Sequence, residues 1–171
     1  VTILVDEARW EWRGARWAHL VSDESHDELH AFALRLGMRR LGFQGDHYDI
    51  DDVDRTRALA LGASAVGSRE LVRCLRAAGL RDRTSKPQWA RVGSWPGGHQ
   101  PTVEPLFAAR LAGVDVDLAA ATVASFEDDT HRVLLIDVPP GLTLAVDPDV
   151  AVIVGAPRAD GWRSIEIFVS R

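Results

Sequence analysis

The chain has 171 residues, 46% of them apolar, and a net charge of −5. That balance is ordinary for a globular protein of one domain, or of one domain with a small second unit, and excludes a large multidomain assembly. No apolar run approaches the roughly 18 residues of a membrane span, and the single Cys74 excludes an internal disulfide framework and a Cys-based zinc cluster.

Residues 2–6 (TILVD) are β-branched and apolar, which predicts a buried strand ending on the carboxylate pair Asp6 and Glu7. Three Trp and three Arg then alternate around Gly14, as a loop followed by a strand over 17–21. Ser25 and Glu28 have the spacing of a capping box, in which hydroxyl and carboxylate each satisfy a free backbone N–H. The helix they start places Leu29, Phe32, Ala33 and Leu36 on one face and stops at Gly37. A second helix is expected from Asp51 or Asp52 to Gly62, then a short strand at 65–66, then a third helix from Ser68 to Gly79. Residues 81–101 are rich in Trp, Pro and Gly and read as a linker or a long ordered loop. Their two Trp are expected to anchor the segment onto a flanking unit, since disordered linkers are aromatic-poor.

Beyond that, residues 103–111 predict a helix with Pro105 in its first turn. Strand-like runs follow at 121–126, 133–138, 142–146, 151–154 and 165–169, separated by EDDT, PPG, DPD and PRADG turns. The expected organisation is an α/β or α+β domain over 1–80, with short strands and three helices. The 81–101 segment follows it, then a helix plus strand-rich, antiparallel unit over 102–171.

Five motifs of the first half carry a family resemblance: VDEARW (5–10), WAHLVSD (17–23), ELHAFA (28–33), FQGDHYDI (43–50) and RALALGA (57–63). In order and spacing they resemble the bacterial and phage family known as domain of unknown function 4031. The resemblance covers residues 1–80 and implies no activity. Relatives in that family often carry Cys before the motif histidine, where this chain has Ala18. The resemblance does not extend to residues 91–171.

The residues that could carry chemistry are Asp6, Glu7, His19, Asp23, Gln44, Asp46, His47, Tyr48 and Asp49. Asp6 and Glu7 close a strand, where ligands of α/β sheets bind. Imidazole with carboxylate suits Zn, Mn or Fe, and carboxylates alone suit Mg. His47, Asp49 and His19 are the catalytic candidates. Asp6, Glu7, Arg9, Arg13, Gln44 and Tyr48 are the ligand-binding candidates. Asp6, His47 and Asp49 are the candidate ligands of a divalent metal. Each also has a plain structural role open to it: Asp49 as a helix cap, Tyr48 as core with a rim hydroxyl, His19 as a hydrogen-bonded strand histidine. His26 and His30 have metal-compatible i, i+4 spacing, but His26 reads as solvated and His30 as packed at a sheet edge or joined to the pocket. Arg55 and Arg57 could reach the same pocket or pair with nearby Asp residues. Cys74, on an apolar helix face, reads as an inert core thiol.

The chain holds 19 Arg against one Lys. Residues 1–90 carry 14 basic and 14 acidic side chains, and residues 91–171 carry 6 and 11. The second half therefore holds the whole net charge, and nucleic acid is not favoured as a partner. The Arg excess reads mainly as GC-rich codon usage. Val1 is expected to be a GTG start codon written as Val, with no secretory leader and a cytoplasmic location as further expectations.

The preferred reading is a ligand-binding or enzymatic domain with an Asp/Glu/His pocket for a small phosphate-bearing or nucleotide-like ligand. The first alternative is a metal-dependent nuclease or phosphoesterase, with Asp23, Asp46 and Asp49 as added carboxylates of a two-metal clamp. The second is a non-catalytic interaction module anchored by exposed Trp.

Overall fold

A computed structural model describes residues 2–12, 14–82, 84 and 86–171. The chain divides into two compact units, residues 1–87 and 88–171. In the first, β1 (Ile3–Val5), β2 (Trp10–Trp12) and β3 (Ala15–Ser22) begin the chain. After them come α1 (His26–Arg35), a 3-10 turn at Arg40–Gly42, β4 (Tyr48–Asp51), α2 (Asp52–Ala60), β5 (Ser64–Ala65) and α3 (Ser68–Ala77).

Strand β3 is the axis of the sheet. Leu20 pairs with both Val5 and Tyr48, and Trp17 pairs with both Trp10 and Asp51. A strand has two edges, so β1 and β2 share one edge of β3 while β4 takes the other. β5 lies parallel to β1. Between Val5 and Trp10, residues 6–9 stand against only Ala18 and His19. The extra residues form a bulge, which bends the strand and re-aims its side chains, Asp6 among them.

Alternation along β3 sends Ala18 and Leu20 to one face and Trp17, His19 and Val21 to the other. On the first face, Ala18, Leu20, Tyr48 and Ile50 pack with Leu29, Phe32 and Ala33 of α1 and Ala58 of α2. On the second, Leu4 and Val21 pack with Leu71 and Leu75 of α3. Burying each such aliphatic side chain contributes about 1.5–3 kcal/mol. The unit is therefore a helix–sheet–helix sandwich in which α3 meets one end of its face. Farther along that face stand the half-buried His19 and Trp17.

The predicted helices form with small changes of chemistry. Ser25 Oγ accepts the Glu28 N–H at 3.1 Å, half of the expected capping box. Glu28 turns away and takes the Ser22 hydroxyl, and Ser22 Oγ accepts the Ser25 N–H at 3.1 Å. Asp51 caps α2 by accepting the Asp54 N–H at 2.8 Å. Residues 48–51, just before that helix, form strand β4.

The second unit holds β6 (Ala90–Trp95), β8 (Thr122–Glu127), β9 (His131–Val138), β11 (Ile153–Val154) and β12 (Arg163–Ser170). They form an antiparallel sheet in the order β11–β12–β9–β8–β6. Phe107, Val123, Ile136, Ile165 and Ile167 lie in its core. Asp128 makes the β8–β9 turn by accepting the N–H groups of Thr130 and His131. The 103–111 helix shrinks to a 3-10 turn at Pro105–Phe107 and α4 (Ala108–Leu111). The cause is Pro105, which holds Glu104 extended at ψ 140 and blocks an earlier start. The 142–146 strand shortens to β10 (Ala145–Val146), which pairs with β7 (Val114–Asp115) in a separate ribbon. Within 81–101, Arg83 and Ser85 lie outside the described residues, and β6 is an edge strand. Trp95 packs on the second core, and the Trp89 ring lies 6.0 Å from Phe168.

Candidate metal centre

His19 and Asp49 are directly opposed across β3 and β4, so their side chains share a face and stand close together. His47 precedes β4 and comes from the turn closed by the Gln44 N–H to His47 carbonyl bond. Its ring lies 5.1 Å from that of His19, and its Nε2 lies 3.3 Å from Asp49 Oδ1. One ligand atom from each of His19, His47 and Asp49 falls within 4.8 Å of the others. Ligands of a tetrahedral cation with bonds near 2.1 Å sit roughly 3.4 Å apart, a contraction that small side-chain rotations supply.

Each imidazole is held from behind by a buried carboxylate. Asp6, 1% exposed, accepts the His19 backbone N–H at 2.7 Å on Oδ1 and faces His19 Nδ1 at 2.9 Å with Oδ2. Asp46, 2% exposed, faces His47 Nδ1 at 2.5 Å and accepts from Arg81 at 2.8 Å on its other oxygen. Both Nδ1 atoms are thereby engaged, so a cation would be met by the Nε2 atoms, that of His47 already facing Asp49 at 3.3 Å. A carboxylate behind a histidine fixes its tautomer and raises its basicity, the usual support of a metal-binding imidazole.

The electrostatics follow from these contacts. Burial alone would raise the Asp6 pKa. Hydrogen bonds from the His19 side chain, its backbone and the Ser68 side chain outweigh burial and hold the group below the usual carboxylate value. Burial would likewise lower His47, but hydrogen bonds and charge from Asp49 and Asp46 raise it above an ordinary histidine. The His30 ring is a different case. Burial first, then Arg40 and His26, lower it to about 4, and its Nδ1 meets the Tyr48 hydroxyl at 2.8 Å.

The sequence candidates therefore separate. Asp6, His19, His47 and Asp49 come together, with Asp6 behind His19 rather than beside the other ligands. Tyr48 points to the opposite, core face of β4. Gln44 donates to the Gly42 carbonyl. Glu7 and Arg9 pair with each other at the exposed bulge. Arg13 lies outside the described residues. Asp23 accepts the Thr2 N–H at the far end of β3, so no second carboxylate cluster forms from it. Arg57 bonds Asp54 and the Leu36 carbonyl. Arg55 donates through Nε to the Asp6 carbonyl at 2.6 Å, one peptide from the dyad. Among the described residues, nothing further pairs with its terminal nitrogens.

Ser68 and Arg81 are the supporting residues that sequence reasoning missed. Neither sits in a motif with the histidines, and only the return of α3 to the sheet brings them near. A separate groove of about 450 Å³ opens at the end of the β2–β3 hairpin, lined by Glu11, Trp12, Gly14, Ala15, Arg16 and Asp52. It includes none of the three clustered ligands.

Residues 3–78 match the model of the family described as "Protein of unknown function (DUF4031)". The matched span holds every clustered side chain and Ser68 but not Arg81. No curated protein and no solved structure matches the chain. No helix among the described residues is long and apolar enough to cross a membrane.

Proposed function

We propose that the first unit binds one divalent cation through His19, His47 and Asp49, and that its reaction class is metal-assisted hydrolysis of a phosphate ester. The observation that carries this reading is the pair of imidazoles, each backed by a buried aspartate, meeting a third carboxylate within 4.8 Å. A two-histidine, one-carboxylate set suits Zn, Mn or Fe(II) and leaves positions open for water and an anionic ligand. The cation would supply Lewis acidity and lower the pKa of water. Asp6 and Asp46 hold the rings in one orientation, and Arg81 keeps Asp46 in place. Arg55 offers a guanidinium fork beside the dyad for a phosphate oxygen.

The test is thermal unfolding and calorimetry of the whole chain with Zn, Mn, Fe(II) and Mg in turn. A transition-metal shift is expected in the wild type and lost in His19→Ala and Asp49→Ala. At a concentration 100 times the dissociation constant, bound metal stabilises by about 2.7 kcal/mol. Loaded protein should then hydrolyse a p-nitrophenyl phosphate mono- or diester. An absent shift with all four ions, or a shift that survives both substitutions, overturns the proposal.

A further inference from the structure

Trp10 touches the His19–His47–Asp49 group without belonging to it. Its ring lies 4.5 Å from that of His19, tilted by 35°. Among the described residues, the indole makes no other ring contact and no side-chain hydrogen bond. It stands on the same face as His19 because Trp10 pairs with Trp17, two residues along β3 from the histidine. The bulge at residues 6–9 fixes this placement, with the Arg9 N–H bonded to the Trp17 carbonyl at 3.1 Å. Rigid backbone thus presses a half-buried aromatic plane against a candidate ligand imidazole.

A plane in that position adds little to the core. It does offer a stacking surface one side chain away from where an anionic oxygen would bind. Base–aromatic stacking tolerates any base and strengthens binding appreciably at each contact. Arg55, whose Nε holds the Asp6 main-chain carbonyl, adds a guanidinium fork for phosphate near that residue. The ligand chemistry matching a cation, an arginine and an indole is a phosphate joined through a sugar to a planar base. A small ligand of this kind also suits the charge of the first half, where basic and acidic side chains balance.

We propose that the first unit recognises a nucleotide, with Trp10 as the platform for its base. This rests on the phosphate reading of the metal centre and deepens it. Recognition of a base by Trp10 means that removing the base should cost affinity only while the indole is present.

The experiment compares uridine and adenosine 5′-monophosphate with ribose 5-phosphate and phenyl phosphate by calorimetry on the whole chain, with and without the bound cation. Wild type is expected to prefer both nucleotides over ribose 5-phosphate by about ten-fold or more. Trp10→Ala should reduce that ratio to near one, and Trp10→Phe should restore most of it. Phenyl phosphate binding as tightly as the nucleotides would make any aromatic phosphate sufficient and overturn the assignment. A wild-type ratio near one, or a ratio kept in Trp10→Ala, also overturns it. Cation binding with no base preference sinks only the platform. A base preference lost in Trp10→Ala but measured without any cation affinity upholds the platform and sinks the metal centre.

Discussion

Histidines in this fold are set apart by what lies behind them. His47 is backed by Asp46 and faces Asp49, which favours its protonated form. His30 sits among Arg40, His26, Phe43 and the Tyr48 hydroxyl and is held neutral down to about 4. An unfolded histidine titrates near 6.5. Between those values the unfolded chain binds a proton that the native chain does not, so stability rises with pH across that window. Acidification from pH 7 to 4.5 should cost about 2–3 kcal/mol through His30, at 1.36 kcal/mol per unit. Urea melts at stepped pH would read this. His30→Gln should flatten the slope, and an unaltered slope would remove His30 as its source. Asp6 works in the same sense at lower pH: its lowered pKa adds stability present above the ordinary carboxylate range and lost as pH falls through the lowered value.

At the scale of elements, the site depends on where α2 and β4 begin. Asp51 ends the strand that carries Asp49 and caps the helix that carries Arg55. Asp51→Ala should cost about 1 kcal/mol, measurable as a lower urea midpoint. A midpoint at the wild-type value would show that the cap contributes nothing. In the second unit β6 is pinned by a close approach. A Cβ on Gly93 would lie 2.4 Å from the Trp95 ring and 2.6 Å from Ser125 Oγ. Gly93→Ala must displace one or both, so a loss of about 1–3 kcal/mol is expected. Amide exchange should speed up along β6 and β8, and protection equal to wild type would refute the packing argument.

At the scale of the molecule, the two units have separate cores. Phe107 is fully buried in the second, among Val123, Ile136 and Ile165. Phe107→Ala should destabilise residues 88–171 by about 3–5 kcal/mol through the cavity it leaves. Cation affinity should stay unchanged, because every clustered ligand lies in residues 1–87. Exchange protection and calorimetry on one sample would check both halves. Lost cation affinity in this variant would show that the proposed cation site needs the second core.

Several features are local and therefore legible in the sequence. Ser25, Gly37, Gly62 and Gly79 mark helix ends because capping and positive φ, here 81°, 102° and 71° at the three glycines, are set by neighbours in the chain. The apolar strands of both units and the turn at Asp128 follow from the same short-range chemistry. The motif histidines and aspartates were visible as residue types, and His19, His47, Asp49 and Asp6 do meet. Their roles were not visible. Asp6 and Asp49 are both aspartates next to hydrophobic runs, yet one is buried behind an imidazole and the other faces the open side of the sheet. Strand pairing decides that difference, by opposing His19 to Asp49 and by bulging the chain at residues 6–9. Ser68 and Arg81 reach the dyads across tens of residues, so no spacing announces them. Tyr48 was drawn to the site by its neighbours in sequence, and the two-residue alternation of a strand turned it into the core. Sequence determined which side chains were available and where elements begin and end. Only the tertiary structure chose which of them face one another, because contacts between distant residues depend on register and not on spacing.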